Sequence, residues 1–225
     1  MRRKILVYGL LALAAACGRE EQQPAERASE TEASPPDTSR PVVLFLGTSL
    51  TAGMGVSSEQ AYPALIQAKI DSAGLGFRVV NAGVNGETSA GGLRRTDWLL
   101  RQPVAMLVVE LGANDMLRGQ DVSAMRANLQ EIIDRTRVAH PEARIVIAGM
   151  QAAPNLGEPY VSEFAATFVE LAEETDAFLI PFLLDGVAGV PELNQPDAIH
   201  PTAEGQVIVA ENVWEVVGSL LRESG

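Results

Sequence analysis

Residues 42–53 read VVLFLGTSLTAG, an unbroken apolar run followed by a turn built from glycine and hydroxyl residues. A run of Val, Leu and Phe without polar alternation is typical of a strand that is buried on both faces of a parallel sheet. Similar runs follow: FRVVNAG (77–83), VAMLVVELG (104–112), ARIVIAG (143–149) and AFLIPF (177–182). Together these runs predict five buried strands.

Helical patterns lie between these runs, at 61–74, 88–102, 121–140, 158–176 and 202–221. Strands that alternate with helices form right-handed crossovers, which give a parallel sheet covered by helices on both faces. We therefore predict an α/β fold over residues 41–225, a flavodoxin-like three-layer α/β/α sandwich with a five-stranded parallel sheet.

The bulk composition narrows the classes of function. The chain has 225 residues, of which 47% are hydrophobic and 20% charged, as expected of one globular domain with an ordinary core. Its formal net charge of -12 argues against nucleic acid as a partner, because phosphates attract basic surfaces. Two histidines and one cysteine are too few for the usual zinc hydrolase site or for an intrachain disulfide. We predict no metal, no cofactor and a monomer.

The N-terminal segment differs in composition from the rest of the chain. The basic MRRK and the short apolar ILVYGLLALAAA predict a secretion signal over residues 1–16, too short for the ~20 apolar residues of a transmembrane helix. Cys17, the only cysteine, follows directly, and the junction resembles a bacterial lipoprotein signal, which implies lipidation of Cys17. That signal usually has leucine where Ala14 stands, so cleavage that leaves a free Cys17 thiol stays open.

The residues after Cys17 resemble a tether more than a folded segment. Residues 18–40 are rich in Glu, Pro, Ser and Ala and have no large apolar side chain, so they cannot bury enough surface to offset their ordering entropy. We predict a lipidated cysteine and a disordered tether over residues 17–40, with a reach of ~25 Å. Gly18 follows the cysteine, which in a Gram-negative cell implies sorting to the outer membrane. The predicted location is therefore the periplasm or the outer membrane of a bacterium.

Polar clusters follow the first three runs at the point where each strand is predicted to end. They are GTSLTAG (47–53), NAGVNGETS (81–89) and GANDMLRG (112–119). Ligands of open α/β sheets bind beyond the carboxyl ends of the strands, so the three clusters should line one rim. Alone, GTSLTAG is compatible with a helix N-cap, a phosphate cradle or a serine nucleophile.

A serine nucleophile needs a base, and the chain has two histidines. His140 ends a helical pattern and is predicted to be a structural surface residue near a helix C-terminus. His200 lies in NQPDAIHPTAEG, three residues after Asp197. One helical turn would point both side chains the same way, so that the carboxylate accepts from Nδ1–H and Nε2 serves as base. A capping turn is the alternative for this pair, as an N-cap is for Ser49.

Four blocks in this order resemble the GDSL, or SGNH, hydrolases, and within them the exported arylesterase and thioesterase/lysophospholipase branch. The blocks are GTSL (47–50), Gly86 in NAGVNGETS, Asn114 in VVELGANDM, and DAIHP (197–201). The resemblance covers the chain from about residue 42 to its end and implies a serine esterase. It also implies that Ser49, Asp197 and His200 are the catalytic residues.

The same resemblance implies an oxyanion hole made by the backbone N–H of Ser49, the N–H of Gly86 and the side-chain amide of Asn114. Such donors stabilise the negative charge that develops on the carbonyl oxygen, and a glycine lets the backbone approach the substrate. Thr48 stands where the family has aspartate, which puts the fine tuning of the site and the transfer of a substrate preference in question.

The remaining rim residues are assigned supporting roles. Glu110 and Asp115 are predicted to brace the loop after the third strand, and QAAPNLGEPY (151–160) to wall the acyl pocket. Aryl or short to medium acyl esters are then the favoured substrates, with thioesters, lysophospholipids and sugar acetates as further options. A phosphate cradle lacks its lysine or third glycine, and Thr51 takes the place of the last glycine of G-x-S-x-G. The alternative is a lipid-anchored binding protein of this fold that has lost catalysis.

Overall fold

A computed structural model describes residues 40–223, and its strands form one sheet. The strands are β1 (Val42–Gly47), β2 (Arg78–Gly83), β3 (Val104–Glu110), β4 (Arg144–Ala148) and β5 (Phe178–Ile180). All neighbours pair in parallel, in the order β2-β1-β3-β4-β5. The predicted α/β fold with a five-stranded parallel sheet is confirmed, and its strand order is flavodoxin-like. The signal peptide, Cys17 and the tether, predicted for residues 1–40, fall outside the described residues apart from Arg40.

Helices connect the strands and form the outer layers. They are α1 (Ser49–Ala52), α2 (Tyr62–Ser72), α3 (Ser89–Leu99), α4 (Ala113–Leu117), α5 (Val122–Ala139), α6 (Glu158–Glu174) and α7 (Ala203–Glu223). Helix α2 packs on α7, while α5 packs on both α3 and α6. Right-handed crossovers place these two groups on opposite faces of the sheet, which gives the three layers. Between residues 40 and 223, no helix is both long and apolar enough to cross a membrane.

The core lies between the sheet and the helices, as the continuous apolar runs require. Every residue of β1 is buried, and Phe45 on this strand meets the ring of Tyr62 from α2 edge to face at 5.5 Å. Helix α6 contributes Phe164 and Phe168 to the other layer, and both are buried. Each such side chain contributes roughly 1.5–3 kcal/mol by leaving water. The central strands are therefore firmly held from both faces.

The two edge strands depart from the predicted pattern. β2 is only partly buried, although its sequence has the composition of a strand covered on both faces, because it lies at the edge of the sheet. β5 ends at Ile180 rather than at residue 182, because Pro181 has no N–H with which to continue the ladder. Neither difference reaches the centre of the sheet, where β1 and β3 lie side by side.

The strand order reverses at β1, since the chain runs from β1 to β2 on one side and then crosses to β3 on the other. Such a reversal opens a crevice at the carboxyl ends of the strands, where ligands of this fold class bind. The loops after β1, β2 and β3 carry the three polar clusters to that edge. The sheet thereby brings Ser49 and the loops with Gly86 and Asn114 to one rim.

Candidate active site

Ser49 is the first residue of α1 and lies immediately beyond β1, in what we call the nucleophile turn (residues 47–53). Thr48 has an extended backbone, and its side-chain oxygen accepts the N–H of Leu50 at 3.4 Å. Thr48 rather than Ser49 is therefore the N-cap of this helix. The Ser49 hydroxyl is left to other partners, and 8% of the residue is exposed.

His200 lies in the loop between the 3-10 turn Pro191–Leu193 and α7. Its Nε2 is 2.8 Å from Ser49 Oγ, although 151 positions separate the two residues in sequence. Its Nδ1 is 2.7 Å from Asp197 Oδ2. The structure thus brings the three side chains that were predicted to be catalytic into one hydrogen-bonded line at the carboxyl edge of β1.

Asp197 controls the orientation and the tautomer of the imidazole. The hydrogen bond from the His200 side chain lowers the pKa of Asp197 to about 2, and the backbone N–H groups of His200 and Ile199 add to this shift. Because the carboxylate is ionised above that pH, it holds the proton of His200 on Nδ1. The lone pair of Nε2 is then directed at the Ser49 hydroxyl, which is the arrangement that a general base needs.

The prediction that one helical turn aligns Asp197 with His200 is wrong. Residues 196–200 form a turn and bends, and Ala198 has a left-handed backbone with φ of 58°. Asp197 Oδ1 instead accepts the backbone N–H groups of Ile199 at 2.9 Å and of His200 at 3.0 Å. These bonds bend the loop around the Asp197 carboxylate, so the side chains of Asp197 and His200 still lie within hydrogen-bonding distance of each other.

His140 has a structural contact and no part in this line. It ends α5, and its Nε2 is 2.9 Å from the carbonyl oxygen of Leu100, just beyond α3. The prediction of a structural residue at a helix C-terminus is confirmed. The residue is half-buried rather than fully on the surface, because this bond holds the ring against the end of α3.

Gly86 and Asn114 follow β2 and β3, the two neighbours of β1 in the sheet. Gly86 has a φ of 74°, in the left-handed region that favours glycine. Asn114 is the second residue of α4 and is half-buried. In the part of the chain that the structure describes, no acceptor is bonded to the N–H of Ser49, the N–H of Gly86 or the side-chain amide of Asn114. All three donors are therefore available to a ligand.

Glu110 lies beneath the nucleophile turn, because the register of the sheet places it beside Gly47. Its carboxylate accepts the N–H of Thr48 at 2.7 Å, the hydroxyl of Thr48 at 2.9 Å and the hydroxyl of Thr51 at 2.7 Å. The phenol oxygen of Tyr62 lies 2.7 Å from the Thr51 hydroxyl. The prediction that Glu110 braces the loop after β3 is thus wrong, since it braces the turn that carries Ser49.

Hydrogen bonds compensate the charge of this carboxylate. Glu110 is 1% exposed, and burial raises its pKa, while the bonds from Thr48 and Thr51 oppose that shift. Burial and the Glu110 charge also raise the pKa of Tyr62, so the phenol keeps its proton. Thr48 therefore supplies a donor at the position where an aspartate would bring a second carboxylate.

Asp115 ties the short helix that contains Asn114 to the start of α3. Its carboxylate accepts the N–H of Ser89 at 2.8 Å and the hydroxyl of Ser89 at 2.6 Å. The side chain of Asn128 donates to the same hydroxyl at 3.0 Å. The prediction that Asp115 braces the loop after β3 is confirmed by these contacts.

Two further polar residues join segments at the carboxyl ends of the strands, and no sequence pattern indicated them. Arg95 of α3 donates to the Glu87 carboxylate at 2.9 and 2.8 Å, beside Gly86. Gln195 donates from its side-chain amide to the carbonyl of Met54 at 2.7 Å. Neither residue has a local signal, because these contacts join positions 8 and 141 residues apart.

The segments that follow the five strands carry exposed apolar side chains: Met54, Val84, Leu117, Leu156 and Ile199, with 41% to 57% of each residue exposed. A cavity of about 510 Å³ lies elsewhere, at the C-terminal ends of α3 and α5, and none of the predicted site residues lines it. Among residues 40–223, no group of three or more His, Cys, Asp or Glu side chains is placed to hold a metal ion. The candidate site therefore combines the polar line of Ser49, His200 and Asp197 with exposed apolar side chains on the segments that follow the strands.

Known proteins resemble the chain over most of its length. The family model described as GDSL-like Lipase/Acylhydrolase matches residues 45–208. The esterase TesA of Pseudomonas aeruginosa is 37% identical over 180 residues, which cover 80% of this chain and 89% of that protein. The thioesterase 1/protease 1/lysophospholipase L1 of Escherichia coli K12 is 36% identical over 170 residues, 75% of this chain and 79% of that protein.

A solved structure extends the likeness to three dimensions. The psychrotrophic esterase EstA from Pseudoalteromonas sp., in a form inhibited by monoethylphosphonate, superposes with a TM-score of 0.76. It is 32% identical in sequence, and the match covers 80% of this chain and 98% of that one. With the family match, the sequence identities and the common fold in agreement, the chain belongs to the GDSL-like lipase/acylhydrolase family and is a serine ester hydrolase.

Proposed function

We propose that the chain hydrolyses carboxylic esters in two steps, with Ser49 as nucleophile, His200 as general base and acid, and Asp197 as the residue that orients His200. The observation that carries this proposal is the 2.8 Å contact between Ser49 Oγ and His200 Nε2, backed by the 2.7 Å contact to Asp197. A hydroxyl becomes a nucleophile when a neighbouring base removes its proton, and the base needs a third group that holds its tautomer.

In the first step, Ser49 Oγ attacks the carbonyl carbon of the ester and its proton passes to His200 Nε2. The bond to the leaving alcohol then breaks, and His200 gives the proton to the departing oxygen, which leaves an acyl-Ser49. In the second step, water attacks the acyl carbon while His200 accepts its proton. The carboxylic acid departs as the proton returns to Ser49 Oγ, so the cycle consumes one water and uses protein groups alone.

Negative charge develops on the carbonyl oxygen in both steps. We assign its stabilisation to the N–H groups of Ser49 and Gly86 and to the side-chain amide of Asn114, which have no other acceptor in the described chain. Loss of one such donor typically costs ~2.7–4 kcal/mol of transition-state stabilisation. The left-handed backbone at Gly86 supports this role, because it is adopted where the chain carries no Cβ that could block the substrate.

The surroundings of Ser49 favour an apolar substrate of modest size. Met54 and Ile199 flank the nucleophile turn and His200, and more than 40% of each residue is exposed. Leu156 stands on the loop 151–160, to which we assign one wall of the acyl site. We propose aryl esters or short to medium acyl esters as substrates. Thioesters and lysophospholipids, which the names of the relatives suggest, and sugar acetates are the further substrates to test.

We also propose that the protein is exported and anchored through Cys17, on the strength of the basic and apolar segments at residues 1–16 and the polar tether that follows. Such an anchor would hold a monomeric enzyme near a bacterial membrane, in the periplasm or at the outer membrane. Mass spectrometry of the N-terminal peptide tests this, with Cys17→Ser as the control. A peptide that begins at an unmodified Cys17 would favour simple secretion.

Fluorophosphonate labelling tests the nucleophile directly. We expect Ser49 to be labelled and Ser49→Ala to lose both the label and ester turnover, while Ser58→Ala, at an exposed serine of a nearby loop, retains both. A folded protein that neither labels nor hydrolyses any ester would instead be a binding protein of this fold. Rates on p-nitrophenyl esters of increasing acyl length then define the substrate class.

A further inference from the structure

We infer that Gln195 is a positioning residue that holds the His200 loop (residues 194–201) against the nucleophile turn. This inference rests on the proposed function, since it concerns the distance between Ser49 and its base. Two backbone hydrogen bonds place Gln195 in the ordered part of the loop: its N–H donates to the carbonyl of His200 at 2.7 Å, and its carbonyl accepts from Ala198 at 2.8 Å.

The side-chain amide of Gln195 joins the two segments. Its Nε2 donates to the carbonyl of Pro201 in its own loop at 3.0 Å, and to the carbonyl of Met54 beyond the nucleophile turn at 2.7 Å. The N–H of Met54 in turn donates to the carbonyl of Ser49 at 3.0 Å. A continuous chain of hydrogen bonds therefore connects the His200 loop to the backbone of the nucleophile.

This bridge is needed because little else connects the two segments. In the described chain, residues 47–56 and 193–202 share one other hydrogen bond, between His200 Nε2 and Ser49 Oγ. That bond is made and broken in every catalytic cycle, so it cannot by itself keep the base at its distance. Asp197 belongs to the same loop as His200 and moves with it. The Gln195 amide is thus the contact that maintains the spacing while the reactive bond is open.

Gly55 leaves the space that this amide occupies. A Cβ on Gly55 would lie 2.0 Å from Gln195 Oε1, far inside the ~3.3 Å at which carbon and oxygen come into contact. A side chain at position 55 and the observed Gln195 rotamer therefore exclude each other. Gly55 also has a left-handed φ of 82°, so Gly55→Ala is expected both to displace the amide and to strain the turn.

The primary test is Gln195→Met, which keeps the length of the side chain and removes its hydrogen-bond donors. A misplacement of 1 Å at a catalytic group typically costs about 10²-fold in rate. We therefore expect kcat to fall about 10- to 100-fold, with KM changed less than about threefold.

Gln67→Met is the matched control. Gln67 is also half-buried and bonds to the backbone: it accepts the N–H of Val79 at 2.6 Å and donates to the carbonyl of Phe77 at 3.4 Å. These contacts lie where β2 begins, at the end of the sheet opposite to the candidate site. Both substitutions should lower the melting temperature similarly. Only Gln195→Met should change kcat, which separates positioning from a loss of stability.

Two readouts follow the positioning itself. The rate constant for fluorophosphonate labelling of Ser49 should fall by the same factor as kcat, because it reports the reactivity of the hydroxyl. The chain has two histidines, so His140 serves as an internal reference for imidazole NMR resonances. Gln195→Met should shift or broaden the His200 resonances and leave those of His140 unchanged.

The outcomes distinguish the inference from the proposed function. A folded Gln195→Met protein with kcat, labelling rate and His200 resonances close to wild type would overturn the inference, as would an equal loss of kcat in Gln67→Met. Absence of labelling and of turnover in the wild-type protein would overturn the proposed function instead. The His200 resonances would in that case still decide whether Gln195 orders the loop.

Discussion

Thr48→Asp would place a second carboxylate beside Glu110, and we expect it to make the stability of the protein fall as the pH rises. The Thr48 hydroxyl oxygen is 2.9 Å and 3.1 Å from the two carboxylate oxygens of Glu110. Both residues are 1% exposed, so water does not screen charges placed there. Two carboxylates this close cannot both ionise freely, and they share one proton.

The size of the effect follows from that separation. Two unit charges ~3 Å apart, at an effective dielectric constant of ~20, repel by about 5 kcal/mol, or about 4 pKa units. The pair would therefore release its last proton well above the ordinary carboxylate range, and burial of Glu110 moves that point further up. The pKa of the folded state then exceeds that of the unfolded state, so the stability from the shared proton is complete below the unfolded pKa of ~4.3 and is lost as the pH rises through the raised folded pKa. The free energy of unfolding should decline by about 1.4 kcal/mol per pH unit in that window, relative to wild type.

Urea unfolding of wild type and Thr48→Asp between about pH 5 and 8 measures this decline. Burial raises the pKa of Glu110 in both proteins, so the difference isolates the second carboxylate. Thr48→Val is the control, because it removes the donor without adding a charge. It should cost about 1.5–3 kcal/mol where Glu110 is ionised and less at lower pH, because the lost bond lowers the pKa of that carboxyl. Adding Glu110→Gln to Thr48→Asp should restore a flat profile. A difference between Thr48→Asp and wild type that is the same at both ends of the range would refute the reasoning.

Three further predictions concern the rim. Asn114→Ala removes one oxyanion donor and should lower kcat by about 10²–10³-fold with KM nearly unchanged in steady-state kinetics; a change confined to KM would contradict the role. The wild-type protein should lose thermal stability as the pH falls from 3.8 to about 2, because the Asp197 carboxylate, with its pKa lowered from 3.8 to about 2, stabilises the fold only while it is ionised. Asp197→Asn should remove this part of the acid destabilisation. Melting curves at acid pH that coincide for both proteins would count against this. Ala198→Gly removes the steric cost of a left-handed backbone, so the free energy of unfolding in urea should rise by up to about 1 kcal/mol at unchanged kcat. A loss of stability would show that the entropy that glycine adds to the unfolded chain exceeds this gain.

The central strands could be predicted because their cause is local, whereas the candidate site residues were predicted from chemistry and from a resemblance to a known family. The segments 42–47 and 104–110 are continuous apolar runs, and only burial on both faces of a sheet suits them. The pairing of Ser49 with His200 rested on the chemistry of a serine nucleophile, on the scarcity of histidine and on the resemblance of four sequence blocks to the GDSL hydrolases. Helices α1 and α4 left no such signal, because four and five residues are too few to display a period.

The contacts that fix the site could not be predicted, because they depend on the register of the sheet. Glu110 reaches Thr48, 62 positions away, only because β3 pairs with β1 so that Glu110 stands beside Gly47. A one-residue slip would point the carboxylate to the other face. The left-handed backbone at Ala198 also lacks a signal, since alanine disfavours that conformation and adopts it here within the turn that Asp197 organises.

The distance along the chain between the serine and its base has a consequence for biosynthesis. Ser49 leaves the ribosome 151 residues ahead of His200, and until that imidazole arrives the hydroxyl is no more reactive than that of any other serine. On the proposed mechanism, a nascent or truncated polypeptide that stops short of position 200 lacks the base that activates Ser49. Turnover of a chromogenic ester would then report that synthesis has passed position 200 and that folding has joined the two segments.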